Sequence, residues 1–107
     1  MIMIKNMRRE KPQAPWDVTI CRGKSPLGNP FYLADVNDNA KRDEVCDKYE
    51  ILFEEKLSQN NDAVVNELQR LLALYWQYGK LNLFCFCAPK RCHGETIRAW
   101  ILAQGIA

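Results

Sequence analysis

The sequence predicts a small α/β domain in which helices pack on a short parallel sheet. Residues 16–21 (WDVTIC) alternate in polarity and carry β-branched side chains, a pattern typical of a strand. Residues 81–87 (LNLFCFC) are nearly all apolar, which predicts a central strand covered on both faces. Because a long helical segment joins the two strands, we expect them to run parallel. The chain of 107 residues can bury one core, so residues 1–107 are expected to form a single domain.

The elements are predicted in the order strand, loop, helix, helix, strand, loop, helix. The first helix is expected from about residue 40 to residue 58, after a cap at Asp38 or Asn39. A second helix follows the break at residues 60–62 and ends at Gly79, and the last is expected over residues 95–104. Residues 1–4 are a candidate for a further strand. The predicted buried stripes are Val45, Tyr49, Leu52 and Phe53; Val64, Val65, Leu68, Leu71, Leu72 and Tyr75; and Ile97, Trp100 and Ile101.

Composition excludes several classes of protein. A hydrophobic content of 48% with 26% charged residues is typical of a folded globule rather than a disordered chain. The net charge of +2 does not indicate nucleic-acid wrapping, and no apolar run is long enough to span a bilayer. The opening MIMIKNMRRE reverses the order of a secretory signal, so we expect a cytoplasmic protein. Five cysteines in that compartment favour free thiols or a metal site over disulfides.

The loop at residues 22–31 (RGKSPLGNPF) has the composition of an anion-binding turn. Arg22 and Lys24 supply positive charge, Ser25 supplies a hydroxyl, and Gly28 allows close backbone approach. Such a set suits a phosphate or a carboxylate. Alternatively, the segment is a rigid surface turn in which its Ser-Pro and Asn-Pro pairs only set the backbone angles.

The cysteine-rich loop at residues 87–95 supports several interpretations. Cys85 and Cys87 project from the same face of a strand, and with Cys92 and His93 they could complete a zinc tetrahedron, although this spacing is unusual for structural zinc. Alternatively, Cys92 is a reactive thiol at a helix start, and its basic neighbours are expected to lower its pKa so that it alkylates first. In a third interpretation, the helix amino end captures an anion with Lys90, Arg91 and His93. The simplest alternative is that Cys85 and Cys87 are buried core residues.

The two loops are expected to lie side by side, since parallel strands place their carboxyl ends at one edge of the sheet. Ser25 and His93 should therefore occupy the same edge. Ligands of open α/β sheets bind at that edge, so we expect one polar pocket formed by both loops.

Together the two loops resemble the family of phage and bacterial proteins described as domain of unknown function 4326. The resemblance is carried by an R-x-x-SPLGNPF element, a C-x-C-x-P-x-x-CHG element and the intervening helix at residues 42–57. It implies that both loops belong to one shared site, and it brings no established reaction. The matching residues are Arg22, Ser25, Pro26, Leu27, Gly28, Asn29, Pro30 and Phe31, then Cys85, Cys87, Pro89, Cys92, His93 and Gly94.

The resulting hypothesis is a domain that binds a small anionic ligand, a nucleotide or a sugar phosphate, with catalysis on it by Cys92 and His93. No cofactor is expected. The alternative is a phage- or bacterium-encoded interaction module, acting on a host protein, in which zinc holds Cys85, Cys87, Cys92 and His93. The predicted ligand-binding residues are Arg22, Lys24, Ser25, Gly28, Asn29, Lys90 and Arg91.

Overall fold

The protein is a three-stranded parallel sheet with three helices, as seen in a computed structural model that describes residues 1–104. This architecture confirms the predicted α/β class. None of the helices within residues 1–104 is both long and apolar enough to cross a membrane. The elements are β1 (Ile2–Asn6), β2 (Asp17–Thr19), α1 (Asn39–Ser58), α2 (Asp62–Tyr78), β3 (Leu81–Cys85) and α3 (Gly94–Ala103).

The strand β3 lies at the centre of the sheet, between β1 and β2. Both of its neighbours run parallel to it, and Leu83 pairs with Ile4 on one side and with Val18 on the other. Leu83 is fully buried, in agreement with the prediction of a central strand covered on both faces. All three strands therefore point their carboxyl ends toward one edge of the sheet, where the two loops of interest begin.

The strands differ in extent from the sequence prediction. The candidate strand at the amino terminus is real and reaches Asn6, while β2 ends at Thr19 and β3 at Cys85. Beyond β2, the carbonyl of Cys21 accepts hydrogen bonds from two later amides and turns the chain into the loop at residues 22–31. Beyond β3, the side-chain amide of Asn6 donates to the carbonyls of Phe86 and Ala88 at 3.3 and 2.8 Å. The chain leaves the sheet at both points because turn and side-chain hydrogen bonds replace the hydrogen bonds between neighbouring strands.

Helix ends follow the predicted caps. The Asp38 carboxylate accepts the amide of Lys41 at the start of α1, and the Asn61 side chain accepts the amide of Val64 at the start of α2. Gly79 ends α2 in the left-handed conformation, with φ of 71°.

The buried stripe of α1 is displaced from the predicted one. Its buried residues are Arg42, Cys46, Tyr49 and Phe53, whereas Val45 and Leu52 are only half-buried. Trp100 of α3 is likewise half-buried against the core rather than enclosed by it.

One buried hydrogen bond holds the loop at residues 22–31 onto α1. The hydroxyl of Tyr49 donates to the carbonyl of Leu27 at 2.6 Å. We expect Tyr49→Phe to lower the free energy of unfolding by about 1–2 kcal/mol, because a buried carbonyl loses its partner. Chemical denaturation checks this. Tyr32→Phe is the control, since the exposed Tyr32 side chain should contribute almost nothing; equal stabilities for the two variants would contradict the expectation.

Candidate functional site

A cavity of about 390 Å³ opens at the carboxyl edge of the sheet, between the loops that follow all three strands and the helix α1. Its size lies within the range of pockets that bind small molecules. All five cysteines of the chain line it, together with five arginines and Lys90. None of its lining residues in the described part of the chain is an aspartate or a glutamate. The cavity is therefore strongly cationic and rich in thiols.

The structure brings some predicted site residues to this cavity and leaves others outside it. The hydroxyl of Ser25 accepts the amide of Leu27 at 3.0 Å, and so it is used within its own turn. At Gly28 a Cβ atom would lie 2.5 Å from the Cα of Arg22, so the role of this glycine is to permit a close approach between two backbone segments rather than to contact a ligand. Lys24, Ser25 and Gly28 do not line the cavity, whereas Arg22, Asn29, Lys90, Arg91, Cys92 and His93 do.

Arg22 and Asn29 shape the rim of the cavity. The Nε of Arg22 donates to the carbonyl of Asn29 at 3.0 Å, and its guanidinium lies over the ring of Tyr32, 5.7 Å from the ring centre. The Asn29 side chain accepts the amide of Phe31 at 2.9 Å. Arg22 remains exposed, so the rest of its guanidinium is accessible from the cavity.

Lys90 and Arg91 are directed at the helix side of the cavity rather than at Cys92. The Arg91 guanidinium pairs with Asp43 at 3.2 Å and Asp47 at 2.9 Å, on the exposed face of α1. The Lys90 ammonium donates to the carbonyl of Val36 at 3.2 Å. The prediction that these two cations activate Cys92 is therefore wrong, because Arg91 is paired with carboxylates on α1 and Lys90 is bonded to a carbonyl of the segment before α1. The acidic face of α1, for which the sequence indicated no role in a site, therefore holds Arg91 in place through ion pairs.

Arg42 is a cavity residue that the sequence analysis missed. It is 5% exposed, and its two terminal nitrogens donate to the carbonyls of Val36 at 2.7 Å and Arg91 at 3.3 Å. Its Nε has no hydrogen-bond partner among the residues that the structure describes. The buried face of α1 follows helical spacing at positions 42, 46, 49 and 53. Arg42 is the one charged residue on this otherwise apolar stripe, and that pattern could have identified it from the sequence. A buried guanidinium without a carboxylate calls for another anion.

Three thiols lie together at the base of the cysteine-rich loop. The sulfur atoms of Cys85 and Cys92 are 3.1 Å apart, and the amide of Gly94 donates to the Cys92 sulfur at 3.2 Å. The amide of Cys87 approaches the Cys85 sulfur at 3.5 Å. Cys85 and Cys92 are buried, but Cys87 is only half-buried and faces the cavity.

The protonation order of these thiols is the reverse of the predicted one. Hydrogen bonds to Cys85 and Cys87, together with burial, raise the pKa of Cys92, so Cys92 keeps its proton. The hydrogen bond with Cys92 and then the guanidinium of Arg42 lower the pKa of Cys87 to about 6. The same donor lowers the pKa of Cys85 to about 7. The prediction that Cys92 is the thiolate is therefore wrong, because Cys92 is buried and shares its hydrogen with Cys85 and Cys87.

His93 lies beside Cys92, as the sequence predicts, and is buried. Its Nε2 is 2.7 Å from the carbonyl of Ile20, so Nε2 carries the hydrogen and Nδ1 is the free acceptor. Nδ1 faces the Cys92 sulfur at 3.8 Å. Burial lowers the pKa of His93, which keeps the imidazole neutral near pH 7. The pair has the polarity of a thiol and its base, and its catalytic role remains a prediction.

The arrangement needed for the zinc alternative is not formed in the described residues. Across residues 1–104, no group of three or more His, Cys, Asp or Glu side chains is placed to hold a metal ion. The Nε2 of His93 is occupied by the carbonyl of Ile20. A zinc site would therefore require the side chains of these candidate ligands to rearrange.

Comparison with known proteins places the chain in a family. A family model described as domain of unknown function (DUF4326) matches residues 4–103. A search of curated proteins finds no match, and a search of solved structures finds none either. The matched span contains both loops and every residue that lines the cavity. Because the match covers nearly the whole chain, the protein belongs to the domain of unknown function family DUF4326.

Proposed function

We propose that the cavity binds a small anionic ligand, a mononucleotide, through its phosphate and its base. The observation that carries this proposal is the imbalance of charge: six cationic side chains line the cavity, no lining residue of the described chain is acidic, and of the six only Arg91 is paired with carboxylates on α1. Like charges gathered in one concave site repel each other unless an anion neutralises them. The phosphate of a nucleotide supplies such an anion and matches the forked donors of arginine.

The arginines of the cavity lie at two depths, and each group has its own role in binding a phosphate. Arg8, Arg9 and Arg22 are exposed at the rim, where they would attract an anion from solution. Arg42 lies deeper, with an Nε that has no partner within the described chain. A buried donor of this kind gains a full hydrogen bond when an anionic oxygen reaches it.

Aromatic side chains favour a nucleotide over a plain sugar phosphate. Tyr32 is 72% exposed and Phe86 is 51% exposed, and both line the cavity. Each carries an arginine over its ring, since Arg8 lies 5.7 Å from the centre of Phe86 and Arg22 lies 5.7 Å from that of Tyr32. Exposed rings beside arginines are the usual platforms for stacking nucleic-acid bases. A sugar phosphate would make no use of them.

Any reaction on the ligand would involve the thiols at the base of the cavity. Cys87 is the half-exposed one, so we assign it, ahead of the buried Cys92, as the sulfur that a ligand can reach. A reaction through Cys92 and His93 would need a ligand group to reach two buried side chains. The interaction module with a zinc cluster and a host protein partner is the alternative, and stoichiometric zinc in the purified protein would favour it.

Binding is tested by titration calorimetry with nucleoside monophosphates, ribose 5-phosphate, unphosphorylated nucleosides and inorganic phosphate. We expect a nucleoside monophosphate to bind at least about tenfold more tightly than ribose 5-phosphate, a difference of about 1.4 kcal/mol. The nucleoside without phosphate should bind weakly or not at all. If no phosphate compound binds, the proposal fails.

Matched variants locate the binding to the cavity. Arg9→Gln removes a cavity charge, and Lys24→Gln removes a charge from a nearby exposed position that does not line the cavity. Arg9→Gln should weaken nucleotide affinity by about tenfold, while Lys24→Gln should change it less than about twofold. Arg22→Lys keeps its charge but loses the planar fork, so it too should weaken binding by about tenfold with little change in melting temperature. An equal loss of nucleotide affinity in the Arg9 and Lys24 variants would indicate general electrostatic attraction to the protein surface rather than binding in the cavity.

A further inference from the structure

We propose that Cys87 and Cys92 form a peroxide-sensitive dithiol, in which Cys87 is oxidised by a hydroperoxide and Cys92 converts the product into a disulfide. The proposal does not rest on nucleotide binding, although both use Arg42 and the same cavity. It uses a feature of the cavity that ligand recognition leaves unexplained, namely three cysteines gathered at one end of a cationic pocket.

Solvent exposure indicates that Cys87 is the thiol that reacts with the oxidant. All three thiols line the cavity, but Cys85 is only 1% exposed and Cys92 only 3% exposed, whereas Cys87 is half-buried. A small hydroperoxide entering the cavity therefore reaches the Cys87 sulfur first.

The charges around Cys87 favour its thiolate, the form that reacts with peroxides. Among residues 1–104, Arg42 is buried without a carboxylate partner, and the neighbouring Cys87 is a group that can become an anion. Arg8 adds positive charge from the rim. No acidic side chain lines the cavity in the described part of the chain. The Cys92 thiol, which donates a hydrogen bond to Cys87, favours the thiolate as well and places the two sulfur atoms side by side.

In the first step the thiolate of Cys87 attacks one oxygen of the hydroperoxide. A sulfur–oxygen bond forms and the oxygen–oxygen bond breaks, so sulfur gives up two electrons and becomes a sulfenic acid. The second oxygen leaves as an alkoxide or hydroxide and takes a proton from solvent, which yields an alcohol or water.

In the second step Cys92 attacks the Cys87 sulfur. The sulfur–sulfur bond forms, the sulfur–oxygen bond breaks, and hydroxide leaves with the Cys92 proton as water. The Nδ1 of His93, 3.8 Å from the Cys92 sulfur, is placed to take that proton and pass it on. The bond between Nε2 and the Ile20 carbonyl holds the imidazole in the required tautomer. Overall, two thiols and one hydroperoxide give one disulfide, one alcohol and one water.

Cys85 provides a second partner for Cys92, since the two sulfurs are only 3.1 Å apart. We place Cys85 after the first disulfide, because it is too deeply buried to meet the oxidant itself. A disulfide between Cys85 and Cys92 then arises only by exchange, when Cys85 attacks Cys92 and releases Cys87. Every disulfide of Cys92 therefore depends on Cys87.

The test treats the reduced full-length protein with stoichiometric hydrogen peroxide and maps disulfides by peptide mass spectrometry, with and without dimedone. Wild type should form one disulfide that contains Cys92. Cys87→Ser should form any Cys92 disulfide at least about tenfold more slowly, because the peroxide meets no accessible thiolate. Cys92→Ser should instead accumulate a dimedone adduct on Cys87, because its sulfenic acid has lost the thiol that resolves it.

Cys46→Ser is the matched control, since Cys46 is buried, lines the same cavity and keeps its proton through burial. Its peroxide reaction should match wild type. Cys87→Ala repeats the test without a hydroxyl, and thermal unfolding confirms that each variant is folded. A Cys85–Cys92 disulfide formed at the wild-type rate in both Cys87 variants would overturn the proposal. A dimedone adduct in Cys92→Ser at a cysteine other than Cys87 would overturn it as well.

Discussion

Iodoacetamide is expected to modify Cys87 at pH 7 at least about 100-fold faster than Cys85 or Cys92, because thiols buried in a folded core react only in rare open states. Cys87 is half-buried at the cavity, and the hydrogen bond with Cys92 together with the Arg42 guanidinium stabilises its thiolate. Cys85 and Cys92 are buried. Peptide mapping of partially alkylated native protein measures the order.

The dependence of this alkylation on pH gives a second check. The thiolate fraction of Cys87 rises with pH through a pKa of about 6, so its rate should be nearly constant above about pH 7. A thiol with an ordinary pKa of about 8.5 would keep accelerating up to about pH 9. Arg42→Met removes the buried cation and should move the profile of Cys87 toward that ordinary behaviour. Arg91→Met is the control, because its guanidinium pairs with Asp43 and Asp47 instead.

Two results would contradict this expectation. Faster labelling of Cys92 than of Cys87 would restore the order predicted from the helix start and its basic neighbours. Slow and equal labelling of Cys85, Cys87 and Cys92 that a chelator accelerates would instead establish the zinc cluster.

Gly28→Ala is expected to lower the free energy of unfolding by about 3 kcal/mol, because its Cβ has no space and its neighbours are backbone. The added atom would lie 2.5 Å from the Cα of Arg22 and 2.9 Å from the carbonyl oxygen of Cys21. Backbone cannot rotate away as a flexible side chain can. The loop at residues 22–31 must therefore open, and both the Tyr49 hydrogen bond and the rim of the cavity depend on that loop. Urea denaturation measures the loss.

Gly23→Ala is the matched control in the same loop. Gly23 has φ of 78°, and no atom of the described residues lies within 4 Å of an added Cβ, so only backbone strain opposes the change. Its cost should be about 1 kcal/mol. If the two alanine variants are equally stable, crowding at Gly28 is not what fixes the loop.

The α/β class and the parallel strands were predictable because they depend on local patterns and on chain connectivity. The apolar run at residues 81–87 indicated the central strand, and the polar residues Asp38 and Asn61 cap the two helices between the strands. A right-handed crossover through helices leaves few alternatives to parallel pairing. Placement of the two loops at one edge then follows from geometry alone. The strand β1 was harder to predict, because five residues form a strand here only by pairing with β3.

The direction of each side chain in the site was decided by tertiary structure. Sequence neighbours suggested that Lys90 and Arg91 would act on Cys92, but both bind groups from the other side of the cavity. Arg42 reaches the thiols from a helix more than 40 positions away in the sequence.

The motifs by themselves determined which residue types gather at the carboxyl edge of the sheet: cations from one loop, and thiols and an imidazole from the other. They did not determine which thiol keeps its proton, because a pKa depends on burial and on the charges within a few ångströms. Those charges come from distant parts of the chain, and only packing brings them together. Cys92 carries the sequence signals of a reactive thiol, yet the fold buries it and places the guanidinium beside Cys87.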